Sequence, residues 1–344
     1  MPWMKMTEKV VKVEAPAKVN FTLELLGLME DGYHRVKTLM QTVSLSDTLT
    51  FKISPAREPS IELSVEGKPA SDFPLSQDNL ICKAVRLFLS SNLDPEKAAL
   101  NPLKISVHVE KRIPIGAGTA GGSGNAAAAL LALNEYFDRP FTRESLAEMG
   151  KKLGADVPFS LLGGTMVGLG RGDELQSIGA EENFCPLYLV LAKSRNLSVP
   201  TVWAYKTYDE CPEVFGLSER TKDRGITDDA TAYAAEKLAA GELTDAIKVF
   251  GNDFEQAIFP HYKELKAIKQ RFMQEGALTS HMTGSGPTVY AVCRTQEEAE
   301  KLKRDYEEGV LRETTISCAA KSDPVDLFVC MTTPHGARIL DNES

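Results

Sequence analysis

The longest regular pattern in the chain is an alternation of apolar and polar residues over 11–25, which predicts a β-strand. With a period of two, Lys18, Asn20 and Thr22 fall on one face, and apolar residues such as Val19 fall on the other. The sequence therefore predicts that a lysine and an asparagine share one side of a strand in a largely apolar environment.

The apolar spacing along the rest of the chain predicts further elements. Helices are predicted over 79–92, 123–137, 143–154, 230–249 and 262–275. Strands are predicted as two runs between 35 and 53, and over 103–115, 185–194, 287–293 and 314–319.

This mixture of strand runs and helix runs is typical of an α+β fold with two lobes that divide near 165–185. We expect an N-terminal domain of residues 1–175 and a C-terminal domain of residues 176–329. Residues 330–344 show no clear periodicity and are expected to form a loose tail.

Composition and charge narrow the classes of function. Apolar residues make up 43% of the 344 residues and charged residues 25%, so a sizeable core is expected. The 39 Lys and Arg residues against 48 Asp and Glu residues give a net charge of −9. A mildly acidic chain has no general electrostatic reason to bind nucleic acid, although a local basic pocket for a small anion stays open.

The spacing of the cysteines and histidines indicates neither a disulfide framework nor a zinc site. The six cysteines contain no C-x-x-C pair and the five histidines no H-E-x-x-H pair. The first residues lack the apolar core of a signal peptide, and no run approaches the roughly 20 apolar residues that span a bilayer. We expect a cytoplasmic protein that contacts no membrane.

A glycine-rich stretch, IGAGTAGGSGN (115–125), follows a predicted strand and opens a predicted helix. Its G-x-G-x-x-G match is a weak signal for a dinucleotide site, because no second parallel strand with a terminal acidic residue follows. The lysine of a Walker A loop and the H-R-D and D-F-G motifs of protein kinases are absent. Glycines before a helix N-terminus let backbone N–H groups approach an anion, and a tight packing turn is the alternative.

Three other stretches carry chemistry, and each also has a purely structural explanation. Lys18 lies in PAKVNFTL, where it could simply extend to solvent, and Asp156 lies in LGADVPF just past a helix end, where it could cap a turn. MTGSGPTVYAV (282–292) is a second glycine loop that leads into a strand, and it could be a mere tight turn.

Taken together and in order, these stretches resemble the GHMP small-molecule kinases. The resemblance covers roughly residues 11–320 and rests on PAKVNFTLELLGLMEDGYH, NLICKAV, KRIPIGAGTAGGSGNAA, LGADVPF, GNDFE and TGSGPTVYA. It implies an N-terminal lobe like domain 2 of ribosomal protein S5 and a ferredoxin-like C-terminal lobe. It also implies an ATP- and Mg²⁺-dependent phosphotransferase that acts on a small alcohol, as a monomer or weak homodimer.

The resemblance assigns residues to the reaction and to ATP. Asp156 corresponds to the general base, and Lys18 to the lysine that keeps it ionised and polarises the acceptor hydroxyl. The positions that correspond to the ATP site are Asn79, Lys111, Gly116, Gly118, Gly121, Gly122, Ser123 and Asn125, with Ser123 also the candidate Mg²⁺ ligand.

Within the family, the match is closest to the branch whose substrate is a cytidine-diphosphate-linked sugar alcohol of the non-mevalonate isoprenoid route. The positions that correspond to the substrate site are Asn20, Tyr33, His34, Tyr205, Gly284, Ser285 and Gly286. Tyr33 and His34 would contact cytosine, and Tyr205 would stack on it unless it only packs between the lobes.

The glycine loop departs from the usual family pattern at three positions. Thr119 stands for a leucine, Ala120 for a glycine and Gly124 for a second serine, so one hydroxyl that could contact phosphate or Mg²⁺ is missing. A kinase for another alcohol, of the homoserine or mevalonate type, and a nucleotide-binding protein without turnover are the alternatives. We assign no role to residues 206–232 or to the tail.

Overall fold

An antiparallel pair of long strands, β1 (Lys9–Leu28) and β2 (His34–Pro55), forms the centre of the fold in the computed structural model. The model describes residues 7–68, 72–91, 102–179, 186–211, 216–316 and 324–340. The other strands are β3 (Ser60–Glu66), β4 (Leu103–Glu110), β5 (Thr165–Leu169), β6 (Glu174–Ser177), β7 (Tyr188–Ser194), β8 (Gly251–Asn252), β9 (Thr279–Met282), β10 (Thr288–Cys293), β11 (Val325–Met331) and β12 (Arg338–Leu340).

Helices cover the outer faces of the strands. They are α1 (Leu80–Ser90), α2 (Gly121–Tyr136), α3 (Arg143–Gly150), α4 (Asp156–Leu162), α5 (Thr201–Asp209), α6 (Leu217–Asp223), α7 (Ala230–Ala239), α8 (Leu243–Ala246), α9 (Phe254–Ile258), α10 (Lys263–Gln274) and α11 (Gln296–Ile316). A 3₁₀ turn, Ile247–Val249, follows α8. None of the helices in the described ranges combines the length and the apolar character needed to cross a membrane.

The strands form two sheets, as expected for an α+β fold with two lobes. The first sheet has eight strands, with β12-β1-β2-β4-β3 in order, β5 and β6 attached beside β2, and β8 parallel to β1. The second sheet has the order β11-β7-β10-β9 and is antiparallel throughout. The sequence-based prediction of the α+β class is confirmed.

β1 contributes side chains to three hydrophobic clusters in succession. Val13 packs in the cluster under α1 and α2, Phe21 in a cluster that joins both sheets, and Leu23 in the cluster beneath α9, α10 and α11. The pairing of β1 with β2 shifts register between Pro16 and Ala17 and again after Asn20. Such irregularities bend a strand locally and re-aim its side chains, so the segment from Lys18 to Asn20 lies between two bends.

Two predictions from the sequence are wrong. Residues 314–316 belong to α11 rather than to a strand, and the rest of the predicted strand 314–319 lies outside the described residues. Residues 330–340 do not form a loose tail, because Cys330 lies within β11 and Arg338–Leu340 pairs with β1; residues 341–344 lie outside the described residues. The domain limits at 175 and 329 stay a prediction. The two sheets separate between β6 and β7, while β8 and β12 return to the first sheet from the second half of the chain.

The return of the chain to β1 depends on a close backbone contact at Gly163. A Cβ placed there would lie 1.8 Å from the Gly336 nitrogen, and the residue has a φ of +71°. Gly225 has almost the same φ, +70°, with no atom within 4 Å of such a Cβ. Gly163 therefore carries both a conformational and a steric requirement, whereas Gly225 carries only the first.

We predict that Gly163→Ala lowers the free energy of unfolding more than Gly225→Ala does. The control should lose about 1–2 kcal/mol, the cost of a left-handed alanine. Gly163→Ala should lose about 1–3 kcal/mol more, because the Gly336 backbone must move. Urea unfolding followed by circular dichroism measures both, and equal losses would contradict the importance of this contact.

Candidate active site

Two adjoining cavities lie where the first sheet, the glycine loop and the second glycine loop meet. The larger has a volume of about 820 Å³ and is lined by Lys18, Asn20, Asp156 and residues of α5. The smaller has a volume of about 280 Å³ and lies between the start of α1 and the glycine loop. Gly118 and Ala120 line both cavities, so the glycine loop forms the boundary between them.

The glycine loop presents backbone N–H groups at the start of α2. Gly124 N–H donates to the Ala120 carbonyl at 2.9 Å, the first hydrogen bond of that helix. The N–H groups of Gly121, Gly122 and Ser123 precede this bond and so have no acceptor within the helix. Three free donors at the positive end of a helix dipole form a favourable environment for an anion.

The two glycine loops pack backbone against backbone. A Cβ on Gly118 (φ +73°) would lie 2.5 Å from the Thr283 carbonyl oxygen, and one on Gly284 would lie 2.9 Å from the Gly118 oxygen. Only glycine permits this approach at either position. The second lobe therefore closes the site at the point where the cavities join.

Lys18 and Asp156 lie together in the larger cavity. Lys18 Nζ is 3.8 Å from Asp156 Oδ1 and donates to Asn20 Oδ1 at 2.7 Å. The lysine side chain is 6% exposed, whereas that of Asp156 is 38% exposed. Lys18 is thus a buried ammonium group and not a surface lysine that extends to solvent. Asp156 is the first residue of α4, where the helix dipole favours a carboxylate.

Asn20 connects Lys18 to the second glycine loop. Asn20 Oδ1 also accepts from Gly284 N–H at 2.9 Å and from the Thr283 hydroxyl at 3.1 Å. Its amide nitrogen donates to Thr38 Oγ1 at 2.8 Å, and its backbone N–H donates to Thr283 Oγ1 at 3.0 Å. Nothing in the sequence pattern marked Thr38 or Thr283, because their link to Asn20 is purely tertiary.

An aromatic cluster lines the far end of the larger cavity. The rings of His34 and Tyr205 stack with centroids 4.4 Å apart, and Phe254 meets Tyr205 edge-on at 4.9 Å. His34 Nε2 lies 2.7 Å from Asp209 Oδ1, one helical turn beyond Tyr205. Burial, with a smaller contribution from the charge of Asp156, raises the pKa of Tyr205 to about 12, so its hydroxyl stays protonated. Tyr205 therefore packs on His34 and does not present a free ring face on that side.

Tyr33 and several cations line the same cavity. Tyr33 is 57% exposed, and the Arg171 guanidinium lies 5.0 Å from its ring centroid. Lys151, Lys152 and Arg171 all contribute to the cavity wall. These cations are a suitable environment for an anionic group between the aromatic cluster and the Lys18–Asp156 pair.

Lys111 and Asn125 are engaged with a buried carboxylate that the sequence did not single out. Asp47 Oδ2 accepts from Lys111 Nζ at 2.5 Å and from Asn125 Nδ2 at 2.9 Å. Its Oδ1 accepts from the N–H groups of Arg112 and Ile113 at 2.8 and 2.9 Å. Burial lowers the pKa of Lys111, and Asp47 opposes that change. The ammonium group of Lys111 thus holds the base of the glycine loop.

The structure gathers most of the predicted site residues around the two cavities. Asn79, Lys111, Gly116, Gly121, Gly122 and Asn125 line the smaller one, and Asn20, Tyr33, His34, Ser123, Tyr205, Gly284 and Ser285 line the larger. Gly286 lines neither of the two cavities, and a Cβ added to it would lie 2.7 Å from the Met282 sulfur. The Asn79 side chain caps α1 and also donates to the Pro74 carbonyl.

The two cavities also offer unpaired polar atoms to a ligand. Asn125 Oδ1 is buried and has no hydrogen-bond partner within the described residues. Ser123 Oγ likewise has no hydrogen bond to any described residue. In the described part of the chain, no group of three or more His, Cys, Asp or Glu side chains could hold a metal ion. Mg²⁺ is usually held by one or two protein oxygens together with phosphate oxygens and water, and Ser123 and Asp156 both line the larger cavity.

The chain is similar to known proteins over nearly its whole length. Residues 79–164 match the family model described as GHMP kinases N terminal domain, and residues 232–310 match GHMP kinases C terminal. A 4-diphosphocytidyl-2-C-methyl-D-erythritol kinase of Gloeobacter violaceus is 32% identical over 338 residues, 98% of this chain and 99% of that protein. The protein of the same name from Thermosynechococcus vestitus is 34% identical, over 94% and 97% of the two chains.

Solved structures extend the comparison to the whole fold. A crystal structure of 4-(cytidine 5'-diphospho)-2C-methyl-D-erythritol kinase has a TM-score of 0.67 at 27% identity, over 94% of this chain and 99% of that one. A homoserine kinase from Cytophaga hutchinsonii has a TM-score of 0.70 at 18% identity, over 99% of both chains, a likeness of fold alone. The resemblance drawn from the sequence motifs is confirmed, together with the fold it implies.

We predict that removing Asp47 lowers the free energy of unfolding more than removing the charge of Lys111. Asp47→Ala should lower the free energy of unfolding by about 3–5 kcal/mol, because the buried Lys111 ammonium loses its acceptor. Lys111→Met should lose only about 1–2 kcal/mol, because Asp47 keeps three other donors. Urea unfolding measures both, with Glu62→Ala, in a surface pair with Lys104, as a nearly neutral control. A larger loss for Lys111→Met would contradict this assignment.

Proposed function

Because this chain belongs to the GHMP kinases, we propose that it phosphorylates 4-diphosphocytidyl-2-C-methyl-D-erythritol with ATP, in the non-mevalonate route to isoprenoid precursors. The transfer is to the C2 hydroxyl of the methylerythritol part. The observation that carries the proposal is the position of the Lys18–Asp156 pair, in one cavity with the aromatic cluster and next to the glycine loop. Two relatives that are named as kinases of this compound and match nearly the whole chain support the choice of substrate.

Asp156 is the proposed general base. Its half-exposed carboxylate is accessible from the cavity and can accept the proton of the substrate hydroxyl. The oxygen then attacks the γ-phosphorus, the bond from phosphorus to the β,γ-bridging oxygen breaks, and ADP leaves with the electron pair. Lys18 offers positive charge to the hydroxyl oxygen as negative charge develops there.

The glycine loop and the smaller cavity are the proposed ATP site. The N–H groups of Gly121, Gly122 and Ser123 would receive phosphate oxygens, and the phosphate chain would pass Gly118 from one cavity to the other. The unpaired Asn125 Oδ1 suits a hydroxyl or amino donor of the nucleoside. Mg²⁺, when bound with the phosphates, neutralises their charge, and Ser123 is the protein oxygen proposed to contact it.

The aromatic end is the proposed cytidine site. His34 and Tyr205 supply ring surface and polar edges, Tyr33 adds an exposed ring, and a pyrimidine is expected to stack among them. Lys151, Lys152 and Arg171 are placed to neutralise the diphosphate between cytidine and sugar alcohol. A homoserine- or mevalonate-type alcohol has no group that needs this end of the cavity, which favours the cytidyl substrate.

The first test is release of ADP by the purified protein with ATP, Mg²⁺ and the cytidyl substrate, with homoserine and mevalonate in parallel. We expect turnover with the cytidyl compound alone. Asp156→Asn should lower kcat by about 10²–10⁴-fold, because the base is lost while the shape of the site is kept. Glu62→Gln, a surface carboxylate paired with Lys104, serves as the control and should retain activity.

Each other outcome has a defined meaning. Turnover with homoserine or mevalonate alone would keep the phosphotransfer chemistry and reject the cytidine assignment of Tyr33, His34 and Tyr205. ATP binding without any turnover would favour a nucleotide-binding protein that is not an enzyme. Full activity in Asp156→Asn would reject the general base.

Asp209 provides a separate test of the cytidine end. An ionised carboxylate has no proton to donate, so Asp209 acts as the acceptor for His34 Nε2. This hydrogen bond fixes the orientation of the His34 ring. Asp209→Ala should raise the KM for the cytidyl substrate about tenfold, equivalent to about 1.4 kcal/mol, with little change in kcat. Glu210→Ala, which removes only a contact with Lys206, is the matched control. Equal effects of the two variants on KM would reject a role for Asp209.

A further inference from the structure

The motif GNDFE (251–255) lies behind the second glycine loop and has no assigned role in the reaction. Its first two residues form β8, which runs parallel to β1 and pairs with Thr22 and Leu23. The motif therefore lies directly between the strand that carries Lys18 and the loop at 282–286. Of its residues, Phe254 lines the larger of the two cavities described above, and the others line neither of these two.

Asn252 joins this motif to the loop through both ends of its side chain. Its amide nitrogen donates to the carbonyl oxygens of Met282 and Gly284, each at 2.8 Å. Its Oδ1 accepts from Phe254 N–H at 3.0 Å. The residue is 1% exposed, so water cannot replace these partners. One NH₂ group bridges two carbonyls, which a hydroxyl or a carboxylate cannot do.

Glu255 holds the second glycine loop through the backbone N–H of Met282. Its Oε1 accepts from Met282 N–H at 2.7 Å, while its Oε2 receives Lys269 Nζ at 2.5 Å. Both backbone groups of Met282 are therefore held by the GNDFE motif. This leaves the turn that follows Met282 with little freedom in the folded protein.

The turn fixed in this way holds the catalytic lysine through Asn20. Gly284 N–H and the Thr283 hydroxyl donate to Asn20 Oδ1, and the same oxygen accepts from Lys18 Nζ. A shift of the turn would remove two of the donors that orient the Asn20 side chain. Lys18 would then lose its fixed acceptor and its alignment with Asp156.

We propose that Asn252 is a positioning residue for phosphoryl transfer, which acts through the Gly284 turn and Asn20 to hold Lys18 Nζ beside Asp156. This inference rests on the proposed phosphotransfer function but not on the identity of the alcohol. It gives the GNDFE motif a specific task, that of maintaining the alignment of the reacting groups from outside the cavity.

A double-mutant cycle with Asn20→Ala tests the proposal. Asn252→Ala should lower kcat about 10- to 100-fold in the wild-type background, with the KM for the alcohol changed less than about threefold. In the Asn20→Ala background the same substitution should have almost no further effect on kcat, because the link is already broken. If Asn252→Ala lowers kcat by the same factor in both backgrounds, the proposal is overturned. Asn252→Asp, similar in size but without the NH₂ group, should behave as Asn252→Ala does.

Ser280→Ala is the matched control for a lost buried hydrogen bond. Ser280 is 1% exposed and donates to the Tyr290 carbonyl within the same sheet, without contact to Asn20. Ser280→Ala should lower the free energy of unfolding and leave kcat unchanged. If Ser280→Ala lowers kcat as much as Asn252→Ala at equal stability, a general effect of destabilisation explains both and the proposal fails.

Hydrogen exchange separates this proposal from the choice of substrate. The Gly284 amide should exchange at least about tenfold faster in Asn252→Ala than in the wild type or Ser280→Ala, since the turn that aligns Gly284 N–H with Asn20 Oδ1 is no longer held. Unchanged protection of Gly284 would overturn the proposal even without turnover. If the wild type uses homoserine or mevalonate instead, the mutant cycle is run with that alcohol. Failure of the cytidyl assignment can then be told apart from failure of the Asn252 proposal.

Discussion

The burial of one ammonium group, that of Lys18, is the constraint on which the site depends. Water barely reaches this side chain, so the protein must supply the acceptors that a charged group requires. Asn20 Oδ1 accepts a hydrogen bond from Lys18 Nζ at 2.7 Å, and Asp156 Oδ1, 3.8 Å away, supplies the opposite charge. One comes from the same strand and the other from the start of α4. The strand, the helix and the second glycine loop must therefore be fixed relative to one another before Lys18 can be buried.

β1 connects this requirement to the stability of the whole molecule. The strand places side chains in the cluster under α1 and α2, in the cluster between the sheets and in the cluster of the second lobe. A displacement of either lobe would disturb at least one of these contacts and with it the segment from Lys18 to Asn20. The folding energy of both lobes thus maintains the geometry of a few polar atoms.

The parts of the site that sequence reasoning could predict are those encoded over short distances. The period of two placed Lys18 beside Asn20, and the glycine spacing located the loop before α2. Asn20 and Thr283 are 263 residues apart, so their contact has no local signature. Lys111 lines the smaller cavity, but sequence reasoning could not find its partner Asp47, because 64 residues separate the two. The strand prediction is wrong over 314–316 because α11 continues to Ile316.

The departures in the glycine loop follow from the same tertiary contacts. Ala120 has a φ of +59°, a conformation that costs an alanine about 1–2 kcal/mol relative to glycine. The loop keeps this conformation because Lys18 N–H donates to the Thr119 carbonyl at 3.1 Å and Gly124 N–H to that of Ala120. Gly124 in turn lies close to the Pro16 carbonyl of β1, at 3.4 Å from an added Cβ. Contacts with the neighbouring strand, as well as the glycines, therefore determine the course of this backbone.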